Sequence, residues 1–237
     1  VSQLRQQPRF VLDLETTGLQ ELEAEIVGWA VCWQAGIGYY IPVDGPKGTR
    51  TLHGPEVLAA LKPIIEDPTR TIINQNIKYD YRVLQNHGVE IANIGLDTMI
   101  GDYLLDAGAR SHGIDELSKK YLHREKIPTS DLIGKGKKQL QMFEVDVAKV
   151  AEYASEDADV AWQLSELIEK KLREENLWDL YWNLERPLIK ILAEMENHGI
   201  RINSEELKRQ SVNAERRMNE LTEECHRLAG REFNPNS

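Results

Sequence analysis

The sequence predicts an α/β fold, a mixed β-sheet flanked by helices and followed by an α-helical segment. Two observations carry this. Extended apolar runs crowd the stretch before residue 78, and helical periodicity dominates after it. The order of elements at the start, three strands, a helix and a fourth strand, also calls for a sheet with helices packed against it. With 237 residues and 41% hydrophobic content, the chain can bury a sizeable core.

RFVLDLET, EIVGWAVCW and GIGYYIPV are the three runs, joined by short turn-like segments, so an antiparallel meander is the simplest pairing. GPEVLAALKPIIED has helical spacing, and RTIINQN is a short strand after it. KYDYRVLQNHG ends on a glycine stop signal, DTMIGDYLLD opens on an Asp N-cap candidate, and GIDELSKKYL follows. IPTSDLIGKGKKQ reads as a loop, and VDVAKVAEYA and DADVAWQLSELIEKKLREEN as amphipathic helices. The expected organisation is one domain over residues 1–178 and a second region over 179–237. In the second region two helices flank the turn GIRIN.

The formal charge of −10 argues against a nonspecific nucleic-acid binder, which would carry a basic footprint. It does not exclude a nuclease, because an acidic site loses negative charge when it binds divalent cations. No run approaches the length of a membrane span, and no membrane partner is expected. Cys32 and Cys225 lack metal-ligand spacing and fit a reducing cytoplasm. The chain opens at Val1 without a methionine and stops at NPNS, so a fragment of a longer protein is expected, and a monomer.

Three acidic stretches stand out. Asp13 and Glu15 are two apart at the end of the first strand, which puts both on one face. A solvated strand end would carry the same pair. In NQNIKYD, Asn76 and Asp80 are four apart and stack on a helix, although Asn76 could equally be an N-cap and Asp80 a favourable charge in the first turn. In AEYASEDADV, Tyr153 and Asp157 share a helix face. Glu152 and Asp159 are expected to face solvent, and Glu156 is ambiguous. If the helices pack beside the first strand, these carboxylates converge. Like charges at close range then need cations, and oxygen-only ligands select two divalent ions, Mg²⁺ or Mn²⁺.

DLETTGL, NQNIKYD and YASEDAD, in that order, resemble the three exonuclease motifs of the proofreading domain of bacterial family A DNA polymerases. That domain is the tyrosine-bearing branch of the DEDD exonucleases on a ribonuclease H-like fold. The likeness continues through YYIPV, LKPIIED, GLDTM and GKGKKQL. Beyond them, ERPLIKILAEMENHGIRIN and LAGREFNPNS resemble the base of the polymerase thumb. The resemblance implies a 3′-5′ exonuclease that proofreads for a DNA polymerase in replication and repair, releasing nucleoside 5′-monophosphates by a two-metal mechanism. Asp13, Glu15, Asp80 and Asp157 would hold the metals, and Tyr153 would orient the attacking water. Thr16, Leu19, Gln75 and Asn76 would lie at the terminal nucleotide. Lys78, Arg110, Lys135, Lys137 and Lys138 are the cations expected along the strand path. Thr129 stands where the family often has an aromatic, and threonine cannot stack on a base. The expected partners are a single-stranded or frayed DNA 3′ end and the absent palm and fingers. A stand-alone RNA-trimming DEDD exonuclease and a catalytically dead scaffold are the alternatives. The thumb-like tail argues against the first, and the intact acidic set against the second.

Overall fold

A computed structural model describes residues 1–235, except for the side chain of Lys137. β1 (Arg9–Thr16), β2 (Ile26–Gln34) and β3 (Ile37–Pro42) form the expected antiparallel meander. α1 (Gly54–Ile65) then crosses to β4 (Thr71–Asn74), which pairs parallel with β1. α2 (Ile77–Asn86) leads to β5 (Ile94–Asp97), parallel to β4, so the sheet order is β3-β2-β1-β4-β5. α3 (Thr98–Leu105), α4 (Ile114–Leu117) and α5 (Thr129–Ile133) come next. α6 (Val147–Glu174) merges the two amphipathic stretches that the sequence reading kept apart.

Alternation along β1 sorts the core into two layers. Phe10, Leu12 and Leu14 pack with α1 and α2, whereas Val11 points to the other face, where Ala154, Ala158 and Ala161 of α6 pack. Asp13 and Glu15 follow the parity of Val11 and therefore look toward α6. The small alanines let α6 approach closely. At Gly38 of β3 an added Cβ would stand 2.3 Å from the carbonyl oxygen of Ser155.

β5 is absent from the sequence reading. It has four residues, all buried, and one is a glycine, so no alternation marks it. Its outer edge is covered from beyond the expected boundary at residue 178. Tyr181 Oη accepts from Asp97 N and donates to Gly95 O, both at 2.7 Å, and Arg186 donates to Ile94 O at 3.2 Å. Side chains thus satisfy polar groups that an open sheet edge would leave unpaired.

α7 (Trp178–Leu180) and all but the last residue of α8 (Arg186–His198) belong to this first compact unit, which runs from Val1 to Asn197. Ile189 and Ala193 of α8 are buried in the core with α1 and α2. α8, which the sequence reading placed in the second region, therefore packs with the first unit. The second unit begins at His198 and consists mainly of α9 (Ser204–Ala229), none of whose residues is buried. Gly230 ends α9 in the left-handed conformation, and the Asn203 side chain caps its start. Asn236 and Ser237, the last residues of the thumb-like NPNS, lie outside the described residues.

Gly38→Ala tests the closeness of β3 and α6. The obstacle is helix backbone rather than a movable side chain tip, so the substitution is expected to cost about 1–3 kcal/mol, read as a lowered urea midpoint. An unchanged midpoint would show that the contact is loose.

Candidate active site

The acidic residues meet at the C-terminal end of β1, the central strand. A register shift between Glu15 and Thr16 breaks the β1–β2 ladder there. Such bulges re-aim side chains and release the chain from pairing. α2 begins beside this end. Its Asp80 is buried, accepting from Leu14 N at 3.0 Å and from Asn74 Nδ2 at 2.8 Å. The same Asn74 amide donates to Asp13 Oδ1 at 2.9 Å, so one neutral side chain ties two carboxyls together. Glu15 is buried on the strand, and Asp157 and Tyr153 are buried on the facing turns of α6.

Burial dominates the electrostatics. It pushes Asp13 up to about 6, with the Asn74 hydrogen bond and the Lys126 charge pulling back. Burial, then the charges of Asp13, Asp157 and Asp80, raise Glu15 well above its ordinary value. Burial and then Asp13 do the same to Asp80. Asp157 is pushed up to about 7, chiefly by burial, with Lys126 opposing. The four carboxyls therefore feel one another.

Two residues of this site carry no earlier assignment. Asn74 is the polar end of the buried strand TIIN, a signal that was available in the sequence. Lys126 had no local signal, since it sits far along the chain in HREKIP. Its side chain is 1% exposed, and its Nζ lies 2.9 Å from Asp157 Oδ1. That contact is off the angle of a hydrogen bond, so Asp157 Oδ1 is a buried oxygen with no hydrogen-bond donor among the described residues. Tyr153 Oη pairs at 2.8 Å with Thr129 Oγ1, so Thr129 holds the tyrosine in place.

The rest of AEYASEDADV corrects one expectation. Glu152 is exposed, as its position on the helix suggested. Asp159 is buried rather than solvated, accepting from Gly36 N at 2.6 Å, Gln163 Nε2 at 2.9 Å and Arg124 Nη1 at 3.2 Å. Helix period gave its direction correctly, but the β2–β3 turn and Arg124 occupy that side. Glu156 joins this second cluster, accepting from Arg124 Nη2 at 2.5 Å and Ile127 N at 2.7 Å.

A cleft of about 470 Å³ opens beside Glu15, which walls it together with Thr16, Leu19, Thr129, Leu140 and Tyr153. Leu19 is 89% exposed, and Thr16 Oγ1 is held by Tyr79 Oη at 2.5 Å. Gln75 is fixed between His112 O (2.7 Å) and Thr98 Oγ1 (2.5 Å). Asn76 holds the N-cap position of α2 in a left-handed conformation, but its side chain makes no cap bond. The buried Asp97 carboxylate takes the amides of Asn76 and Ile77 instead, while also capping α3 through Met99 and Ile100. Lys78 is paired with Glu196, whereas Arg110, Lys135 and Lys138 are exposed. The side chain of Lys137 lies outside the described residues.

All-oxygen donors, raised carboxyls and an orphaned oxygen on Asp157 fit divalent ions chemically. Among the described residues no three acidic, His or Cys side chains are gathered closely enough to cage one ion as they stand. The geometry therefore brings the carboxyls together in pairs around Asn74 and Lys126 rather than into a finished cage.

A mixed sheet with acidic side chains gathered at the end of its central strand, beside an open cleft, is the arrangement of a nuclease domain. The 3′-5′ exonuclease family model matches residues 1–173, and the chain belongs to that family. It is 35% identical to DNA polymerase I of Chloroflexus aurantiacus over 240 residues, covering 100% of this chain and 25% of that protein. The chain spans about a quarter of the length of the curated relatives it matches. Its fold superposes with TM-score 0.74 and 22% identity on the POL domain of Pol1 from M. smegmatis, covering 100% of this chain and 36% of that one. Brucella melitensis NrnC gives TM-score 0.60 at 18% identity, covering 80% and 84%.

A pH dependence follows from the buried carboxyls. Their folded values lie above the ordinary 3.8 of aspartate, at about 6 for Asp13 and about 7 for Asp157. Between these limits the folded chain binds more protons than the unfolded one, so these groups favour folding at low pH and lose that contribution as pH rises. In EDTA the stability difference between the parent and Asp157→Asn should swing toward the variant by a few kcal/mol, order of magnitude, from pH 4 to pH 8. Denaturant midpoints across that range measure it. A difference independent of pH would mean that Asp157 is not a raised, buried acid.

Proposed function

We propose that the chain hydrolyses the 3′-terminal phosphodiester of DNA and releases a nucleoside 5′-monophosphate. The observation that carries this reading is the set of carboxyls, half-buried Asp13 with buried Glu15, Asp80 and Asp157, beside an open cleft that Glu15 lines. These residues would hold two divalent ions, Mg²⁺ or Mn²⁺, which supply an activated nucleophile and charge for the leaving oxygen. The remaining work falls to the chain. Burial, then the charges of Asp157 and Glu15, push the Tyr153 phenol far above its ordinary value, so it stays a neutral hydroxyl. Held by Thr129, it orients a water by hydrogen bonding and does not act as a base. Leu19 and Thr16 line the cleft where the last base would lie, and Gln75 and Asn76 flank the same end of the sheet. Arg110, Lys135 and Lys138 offer exposed cations for the strand.

Selection for mispaired ends follows from the site's need for a single strand, because a frayed terminus costs less to unstack. Residues 179–237 fit the start of a polymerase region whose palm and fingers are the natural partners. The exposed Val212, Met218 and Leu228 on α9 support burial against further chain. We place the protein in the cytoplasm as a monomer. Its two cysteines are free, and no helix among the described residues is long and apolar enough to cross a membrane. A stand-alone nuclease of the NrnC kind shares the fold, but the match to DNA polymerase I across the whole chain favours the polymerase-linked reading.

Substitutions in one helix separate the roles. Asp157→Ala should nearly abolish trimming of labelled single-stranded DNA with Mg²⁺ while the chain stays folded, since Lys126 keeps Asp115 as a partner. Tyr153→Phe should cost on the order of 10²-fold or less. Asp159→Ala should keep the chemistry but destabilise by about 1–3 kcal/mol, because the Gly36 amide and Arg124 lose their acceptor. Single-turnover rates and melting curves read both effects. Equal rate losses at Asp157 and Asp159 would refute the assignment.

A further inference from the structure

The cation nearest the candidate metal ligands is a lysine with an unusual set of partners. Lys126 Nζ lies 2.9 Å from Asp157 Oδ1, 2.9 Å from Asp115 Oδ1 and 3.0 Å from the carbonyl oxygen of Ile127, to which it donates. It also stands 4.8 Å from the centre of the Tyr153 ring. The side chain is 1% exposed, whereas that of Asp115 is 47% exposed. Of its carboxylate and carbonyl partners, Asp157 alone belongs to the candidate site. Asp115 and Ile127 lie outside it and can satisfy the ammonium when Asp157 is withdrawn. A buried ammonium with no second partner could not let go of its carboxylate, because leaving a charge buried and unpaired is costly. Lys126 has that second partner already in contact.

We propose that Lys126 is a tethered competitor of the divalent ion for Asp157. It neutralises Asp157 in the metal-free site and is retained by Asp115 and Ile127 when an ion takes its place. This rests on the reading of Asp157 as a metal ligand. Lys126 is thus a positioning residue that tunes ion affinity. It holds the site assembled between loadings, and metal uptake becomes an exchange of one cation for another. Asp115, a surface residue, enters the reaction only by setting how readily the lysine yields. The two residues should therefore act on ion affinity in opposite directions, as reciprocal linkage requires. Without the lysine, the ion has no competitor. Without Asp115, the lysine is committed more firmly to Asp157.

The test is Mn²⁺ binding to the 237-residue chain without DNA, measured by calorimetry and by the electron paramagnetic resonance signal of free Mn²⁺. Lys126→Met keeps the apolar stem and removes the charge. It should bind Mn²⁺ on the order of tenfold more tightly and gain more melting temperature from the ion than the parent does. Asp115→Asn should bind several-fold more weakly. A lysine that merely braces the α5 segment would leave affinity unchanged or weaken it, and either result with a folded Lys126→Met protein overturns the proposal. If Lys126→Met does not fold, Asp115→Asn decides, and unchanged or tighter binding there overturns it. Asp157→Ala separates the two readings. Binding lost with Asp157→Ala but indifferent to Lys126 and Asp115 defeats the competitor alone. Binding that survives Asp157→Ala, or is absent from the parent chain, defeats the metal-site reading and the competitor together.

Discussion

Four carboxyls held close together in a buried pocket repel one another, and much of this fold is arranged around tolerating that. At an effective dielectric near 20, two charges about 5 Å apart repel by roughly 3 kcal/mol, so a full set of ionised groups would strain the domain severely. The chain answers with fixed dipoles and one ammonium. The Asn74 amide bridges Asp13 and Asp80, the Leu14 amide serves Asp80, and Lys126 stands against Asp157. Among the described residues Glu15 has no such donor, and it takes repulsion from the other three. Each device comes from a different segment, so the pocket exists only once the sheet has brought β1, β4, α2 and α6 together.

α6 is the element that makes this affordable. One side carries small alanines against the sheet and presents Tyr153 and Asp157 to the end of β1. The flank beyond carries Glu156 and Asp159, locked by Arg124 and the amides of Gly36 and Ile127. Two acidic clusters a few residues apart therefore have unlike tasks. One is left under-satisfied, and the other is fully paired. The paired cluster fixes the rotation of the helix about its axis, and that rotation aims Asp157. A domain can keep a strained site when the surrounding structure over-determines it.

Much of this was legible before any coordinates. Period two placed Asp13 and Glu15 on one face, period 3.6 paired Tyr153 with Asp157, and the antiparallel meander of β1, β2 and β3 followed from the runs. What escaped reading shares one cause, dependence on segments distant in sequence. β5 is too short and too uniformly buried to show a period. Asp159 points as its position demands, yet nothing local says that a hairpin turn waits there. The capping of α2 comes from Asp97, about 20 residues away, not from the asparagine at the cap itself. Lys126 reaches Asp157 across 31 positions of chain that no short motif spans. Conversely, α8 joins the first unit because Tyr181 and Arg186 close the edge of a strand that the sequence did not announce.

Net charge is the property that composition describes least well here. The formal −10 counts every carboxylate as ionised. Yet Asp157 is raised to about 7, and Glu15 and Asp80 are raised well above their ordinary values, so the pocket by itself carries less negative charge than its residues imply. Some of the remaining acids are surface groups paired with lysines and arginines, as Glu196 is with Lys78 and Arg82. A polyanion approaching the cleft would therefore meet local charges rather than the molecular sum, screened over about 8–10 Å at physiological salt. On that length scale the exposed Lys135 and Lys138 in the loop before the cleft weigh more than the formal sum over the chain. An acidic protein can thus act on a polyanion, provided its own acids are either paired at the surface or buried where cations neutralise them.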